Sequence, residues 1–176
     1  IVDTFTVMNP TDYHVSPIEN FSFDILHSIH DQVSENLYVS PSGSNNNDGL
    51  TPTTALKTIQ YANSMIVADS LNPKTIFLAN GIYSSSTNGE FFPITLPSFV
   101  SLVGETEEGV ILNAEQQSNV LTIYGVKGAT ISNMTITGGR VNFGGGGIFI
   151  TYSDPIIENV TIKNNHTIQR GGGVYC

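Results

Sequence analysis

"ISNMTITGGRVNFGGGGIFI", residues 131–150, returns as "IENVTIKNNHTIQRGGGVYC", residues 157–176, with each counterpart 26 residues further on. Ile131 answers to Ile157, Asn133 to Asn159, Thr135 to Thr161, Ile136 to Ile162 and Gly147 to Gly173, without a gap. A fixed step of about 20 to 50 residues marks a repeat architecture, because one repeat cannot bury its apolar side alone and must stack on a neighbour. Helical repeats need apolar residues at i, i+3, i+4 and i+7, whereas here they alternate in short runs broken by Gly and Asn. Alternation sends Ile131, Met134 and Ile136 inward with a bend at Asn133, followed by Ile148 and Ile150. The next turn supplies Ile157, Val160, Ile162, Val174 and Cys176. About three short strands per turn, each pairing with its counterpart roughly 4.8 Å away, describe a right-handed single-stranded parallel β-helix. The predicted fold class is therefore all-β, a solenoid with about four coils between Lys74 and Cys176.

Working backward, Leu121 and Ile123 point inward in the preceding coil, and "FVSLVGE" (99–105) and "GVILNA" (109–114) supply strands of the one before. Upstream, "NNNDG" (45–49) is a turn cluster, and Thr58 can cap a helix whose stripe is Ile59, Ala62, Ile66 and Val67. That predicts an N-terminal capping helix near 58–68, lying over the first coil and covering backbone groups that would otherwise be open to edge pairing. Residues 1–36 alternate like strands in "IVDTFTVMN" and "FSFDI" but lack the repeat. They read as a strand-rich arm or the remnant of a preceding domain, with the β-helix spanning 37–176 and continuing past a last coil that has no cap of its own.

Composition agrees with a β-rich chain. Charged residues are only 12 %, Gly numbers 17, and Lys+Arg 6 against Asp+Glu 15 gives a formal charge of −9. No basic stripe exists to neutralise phosphates, so nucleic acid and anionic membranes are poor partners. No apolar run approaches the roughly 18 residues of a membrane span. Cys176 is the single cysteine, so no disulfide forms within the chain.

The segments "LYVSPSGSNNNDGLTPTTALKTIQYA" (37–62), "KTIFLANGIYSSS" (74–86) and "FPITLPSFVSLVGE" (92–105) resemble the opening of pectate-lyase-like right-handed parallel β-helix proteins. The likeness is closest to a group carrying a domain of unknown function that opens V-x-x-x-G-x-D-x-N-D-G. It covers about residues 37–176 and includes surface proteins as well as polysaccharide lyases. Where that pattern commonly has aspartate, this chain has Asn45, Asn46 and Asn47, so the likeness does not extend to a metal-holding loop.

Candidate residues follow from register. Phe149 and Tyr175 share a place in successive coils and face outward, so they should stack as an aromatic column on which the apolar face of a sugar can pack, or simply brace the sheet. Asn133 and Asn159 each begin an Asn-x-Thr sequon, but at equivalent bends their side chains form a structural ladder. Asn20 and Asn165 are the better glycosylation candidates. The runs Gly144–Gly147 and Gly171–Gly173 neither follow a strand into a helix nor precede Lys-Ser or Lys-Thr, and read as tight corners.

Arg140 and His166 also share a register, with Arg170 close by in sequence. Through the resemblance, a lyase would use a base of this kind beside calcium-neutralised uronate. Only Asp154 and Glu158 stand near them, whereas calcium takes about six to eight oxygens. His27, His30 and Asp31, with Asp24, form an H-x-x-H cluster with metal-ligand spacing, for which a polar linker is the default reading.

The sequence thus points to a non-catalytic extracellular or cell-surface interaction module of a larger surface or secreted protein, adhesive or binding a polysaccharide or cell-surface glycan, with no cofactor of its own unless calcium enters. The alternatives are a calcium-dependent polysaccharide lyase, and a structural subunit that binds other copies of itself end to end into filaments.

Overall fold

Leu37, Ile76, Leu102, Ile131 and Ile157 occupy one column, each paired in parallel with the next. The first four are fully buried and Ile157 is partly so. The computed structural model in which they stack describes residues 32–176, and the compact unit that holds the coils is Gln32–Cys176. His27, His30, Asp31, Asp24, Asn20 and the arm strands expected upstream lie outside the described residues.

The chain winds as a parallel β-helix, one lap after another. The first lap holds β1 (Leu37–Val39) and α1 (Ile59–Met65). Four laps of strands follow: β2 (Lys74–Leu78), β3 (Gly81–Tyr83) and β4 (Ile94–Thr95); β5 (Val100–Gly104), β6 (Val110–Asn113) and β7 (Leu121–Tyr124); β8 (Thr130–Thr137), β9 (Arg140–Val141) and β10 (Ile148–Thr151); β11 (Ile156–Ile162), β12 (His166–Thr167) and β13 (Val174–Tyr175). Every strand pairing among the described residues is parallel. They form a long sheet of seven strands, a lateral sheet in the order β13-β10-β7-β4, and the short pair β12-β9.

Alternation explains the interior. Ile94, Leu121 and Ile148 form a second fully buried column; Val174 continues its register on the last lap but is 38 % exposed, and Cys176, expected inward, is exposed as well. Tyr83, Leu112 and Ile136 form a third, which Ile162 extends. Burying one such Leu or Ile contributes about 1.5–3 kcal/mol, so the stack of columns is the main source of stability.

The start of the solenoid is closed. The outer edge of β1 is already hydrogen-bonded: Tyr38 N–H donates to Gly49 O and Leu56 N–H to Tyr38 O, each at 2.8 Å. The edge of β4 is met by α1, where Asn63 Nδ2 donates to Thr95 O at 2.7 Å and Gln60 Nε2 to Pro93 O at 3.0 Å.

Helix α1 starts where the sequence places it, with Thr58 Oγ1 accepting from Tyr61 N at 3.3 Å. It ends three residues before the expected limit. Ile66 turns to extended backbone, and Val67 N–H donates to Val33 O at 2.9 Å, so a parallel bridge between Val33 and Ile66 displaces the last helical turn. Residues 32–36 therefore belong to the coil unit, and Met65 takes the core position assigned to Val67.

A second acceptor completes the helix start. Glu90 is fully buried, and its carboxylate accepts from Ile59 N at 2.7 Å, Gln60 N at 3.1 Å and Phe91 N at 3.3 Å. Burial pushes its carboxyl above the ordinary range, against the pull of those three N–H groups.

Between β5 and β6 a loop, residues 105–109, straps the outside of later laps. Thr135 Oγ1 donates to Glu107 O at 3.1 Å, and Thr161 Oγ1 donates to Glu107 Oε1 at 2.5 Å.

Candidate functional site

Outward positions of the lateral sheet gather aromatic side chains. Phe149 and Tyr175 are cross-strand partners whose rings stack at 5.6 Å with 11° between planes. Both rings are half-buried, so each keeps some contact with solvent. Phe143 joins Tyr175 at 6.1 Å and 49°. At the other end of the strands, Tyr124 and Tyr152 meet edge to face at 5.8 Å and 90°. Phe143, Tyr124 and Tyr152 are 63 %, 66 % and 82 % exposed, far more than bracing a sheet requires.

Local structure explains why these rings stand out. Tyr124 ends β7 and faces solvent, while Tyr152 follows β10 at φ +52°, a left-handed bend. Ser153 holds that bend by accepting from Val126 N at 2.9 Å and donating to Thr151 O at 2.9 Å. The sequence signals Phe149 and Tyr175 through the 26-residue step; it gives no such signal for Phe143, whose counterpart 26 residues on is Gln169, for Tyr124, which pairs with Thr151, or for Tyr152, which stands at a bend.

The glycine corner beside this surface is a close approach of backbones. Gly146 N–H donates to Gly171 O and Gly147 N–H to Gly173 O, at 3.1 and 3.0 Å. A Cβ on Gly146 would lie 2.6 Å from Gly172 O and His166 O, so only glycine fits.

Arg140 and His166 are adjacent strand partners on β9 and β12, both exposed. Arg140 Nη1 donates to Gln116 Oε1 at 3.4 Å. Arg170 is exposed and lies outside that strand pair. No three His, Cys, Asp or Glu side chains gather to hold a metal ion among the described residues.

The remaining candidates are structural in their contacts. Asn159 donates to Asn133 across the bend. Asn165, expected to be an open sequon, is half-buried and engaged: Nδ2 donates to Ile136 O at 3.0 Å and Oδ1 accepts from Gly139 N at 2.8 Å. Its amide ties two laps together, which removes it from the glycosylation candidates. In the "NNNDG" turn, Asn45 Oδ1 accepts from Lys57 N at 2.8 Å and Thr58 N at 3.2 Å, and Asn47 Nδ2 donates to Ala55 O at 2.9 Å. Asp48 Oδ1 accepts from Leu50 N at 3.0 Å, and hydrogen bonds from Thr54 and Leu50 hold its carboxyl below the usual range. Asn45, Asn47 and Asp48 thus spend their side chains on nearby backbone, while Asn46 is exposed.

No helix among the described residues is long and apolar enough to cross a membrane. A family model described as a protein of unknown function (DUF1565) matches residues 41–174. No curated protein and no solved structure matches the chain.

Proposed function

The chain belongs to the DUF1565 family, and we propose that it serves as a non-catalytic carbohydrate-binding module of an extracellular or cell-surface protein. One observation carries this reading: Phe149, Tyr175, Phe143, Tyr124 and Tyr152 line the lateral sheet and its bends, with three of the rings more than half exposed. Apolar sugar faces pack on such rings, and a rigid stack of laps holds the rings at fixed spacing, which suits a polymer of repeating units. The resemblance to pectate-lyase-like β-helices supports a polysaccharide as the ligand class.

The test is binding of the full chain to a panel of immobilised plant, microbial and animal glycans, repeated with Tyr152→Ala and Tyr124→Ala. The reading requires at least one glycan to be retained and both substitutions to weaken it. Retention of none, or retention that ignores both substitutions, refutes it. The neighbouring basic pair Arg140 and His166 favours a second reading, a uronate-acting lyase, which predicts ultraviolet absorbance from an unsaturated product when the chain meets polygalacturonate and calcium.

A further inference from the structure

The long sheet carries a different aromatic feature. Tyr38 on β1, Phe77 on β2 and Val103 on β5 are successive outward partners in one column. The Tyr38 and Phe77 rings stack at 5.2 Å with 25° between planes, and both are half-buried rather than covered. Beside them lies a groove of about 300 Å³, at the small end of the roughly 300–1,000 Å³ range of ligand sites. Pro52 and Ala55 reach it from the capping segment, and Glu105 reaches it from the start of the 105–109 loop. Asn80 N–H donates to Glu105 Oε2 at 3.0 Å, which fixes the carboxylate in place.

The geometry points to a subsite for one uncharged sugar residue of a glycan. Its C–H face would pack on Tyr38, Phe77 and Val103, and its hydroxyls would donate to the Glu105 carboxylate, a charge-assisted bond that complements the one strong acceptor at the groove. Glu105, Glu107 and Glu108 stand in one short loop of a chain with formal charge −9, so an acidic sugar meets like charge. A lysine or arginine side chain would be stripped of water against an apolar floor, with a single carboxylate already engaged by Asn80 as its partner. This site shares only its ligand class with the lateral aromatic surface and stands or falls separately.

The test is an amide chemical-shift titration of the isotope-labelled full chain with cellohexaose, mannohexaose, galactohexaose, hexagalacturonate and a lysine-rich peptide. At least one neutral hexasaccharide should shift Tyr38, Phe77, Val103 and Glu105. Phe77→Ala should weaken that binding about tenfold, and Glu105→Gln, which keeps the shape, several-fold. Thermal melts of both variants confirm that they fold, and Glu105→Gln decides the matter if Phe77→Ala does not. Shifts confined to Tyr124, Phe149, Tyr152 and Tyr175 overturn the groove while sparing the lateral surface. Hexagalacturonate or the peptide binding the groove at least as tightly as every neutral sugar overturns the ligand assignment. No response of the groove residues to any neutral hexasaccharide overturns the groove, and the glycan panel alone decides the lateral surface.

Discussion

The side-chain amide of Asn159 donates to Oδ1 of Asn133 at 3.3 Å from the next lap, and both residues hold left-handed backbone, φ +49° and +57°. The bend and the ladder are one device. Asn tolerates a conformation that costs most other residues about 1–2 kcal/mol, and its side chain joins the two bends that the conformation creates. Below them, a Cβ on Gly104 would lie 1.9 Å from Asn133 O, so the earlier lap gives up its side chain to let the bend pass.

Asn133→Ala should therefore destabilise the chain by about 2–3 kcal/mol, the left-handed strain plus a lost hydrogen bond. Asn133→Gly, which accepts the same φ, should lose only about 1 kcal/mol. Urea unfolding measures both. Equal losses would mean that backbone conformation is not what the asparagine supplies.

Glu90 predicts a pH dependence. Its folded-state pKa is raised by burial, so its contribution to stability is fully present below the ordinary carboxylate value of about 4.3 and is lost as pH rises through the folded value. Glu90→Gln cannot ionise. Whatever constant offset the amide brings at Ile59 and Gln60, the stability gap between the two proteins should move in favour of Gln from pH 4 to pH 7. A gap that stays flat, or moves toward the wild type, contradicts the burial argument.

Equivalent glycines one lap apart should respond differently to the same change. A Cβ on Gly147 would fall 2.6 Å from Gly173 O and 2.8 Å from Asn165 Nδ2, whereas on Gly173 the nearest neighbour is Ile162 Cγ2 at 3.5 Å. Gly147→Ala should cost about 1–3 kcal/mol by overpacking. Gly173→Ala should stay within about 0.5 kcal/mol. Thermal unfolding of the pair checks this, and similar melting temperatures would disprove it.

In the "NNNDG" turn, Asn45→Ala should cost about 1–2 kcal/mol, because Lys57 N and Thr58 N lose their acceptor. Asn46→Ala, at an exposed position, should be neutral within about 0.5 kcal/mol. Denaturant midpoints distinguish the two, and an equal loss would mean that the turn is not held by Asn45.

The last two laps are legible in the sequence because nothing interrupts them: Ile131–Ile157, Arg140–His166 and Phe149–Tyr175 pair at the 26-residue step. Among earlier pairings β2 and β5 keep that step, Ile76 to Leu102, but others obey the same inward alternation at different separations, 29 residues between Leu102 and Ile131 and 24 between Leu112 and Ile136. Loops at the bends change the count without disturbing the ladder, so periodicity fades while pattern persists. The capping segment hides the partnership of Tyr38 with Phe77, which lie 39 residues apart, and with it the groove. Glu90 is invisible for a related reason, since the amides it serves lie about thirty positions upstream. An acid placed directly before the apolar stretch Phe91–Ile94 was the available hint.

Glu107 departs from nearest-neighbour logic. A solenoid whose laps touch only adjacent laps can fray from its end one layer at a time. By accepting from Thr161, 54 residues later in the chain, Glu107 links the third lap to the fifth. Peeling the outermost layer must first break a tie anchored two layers down, which gives these laps a shared threshold for opening instead of a graded one.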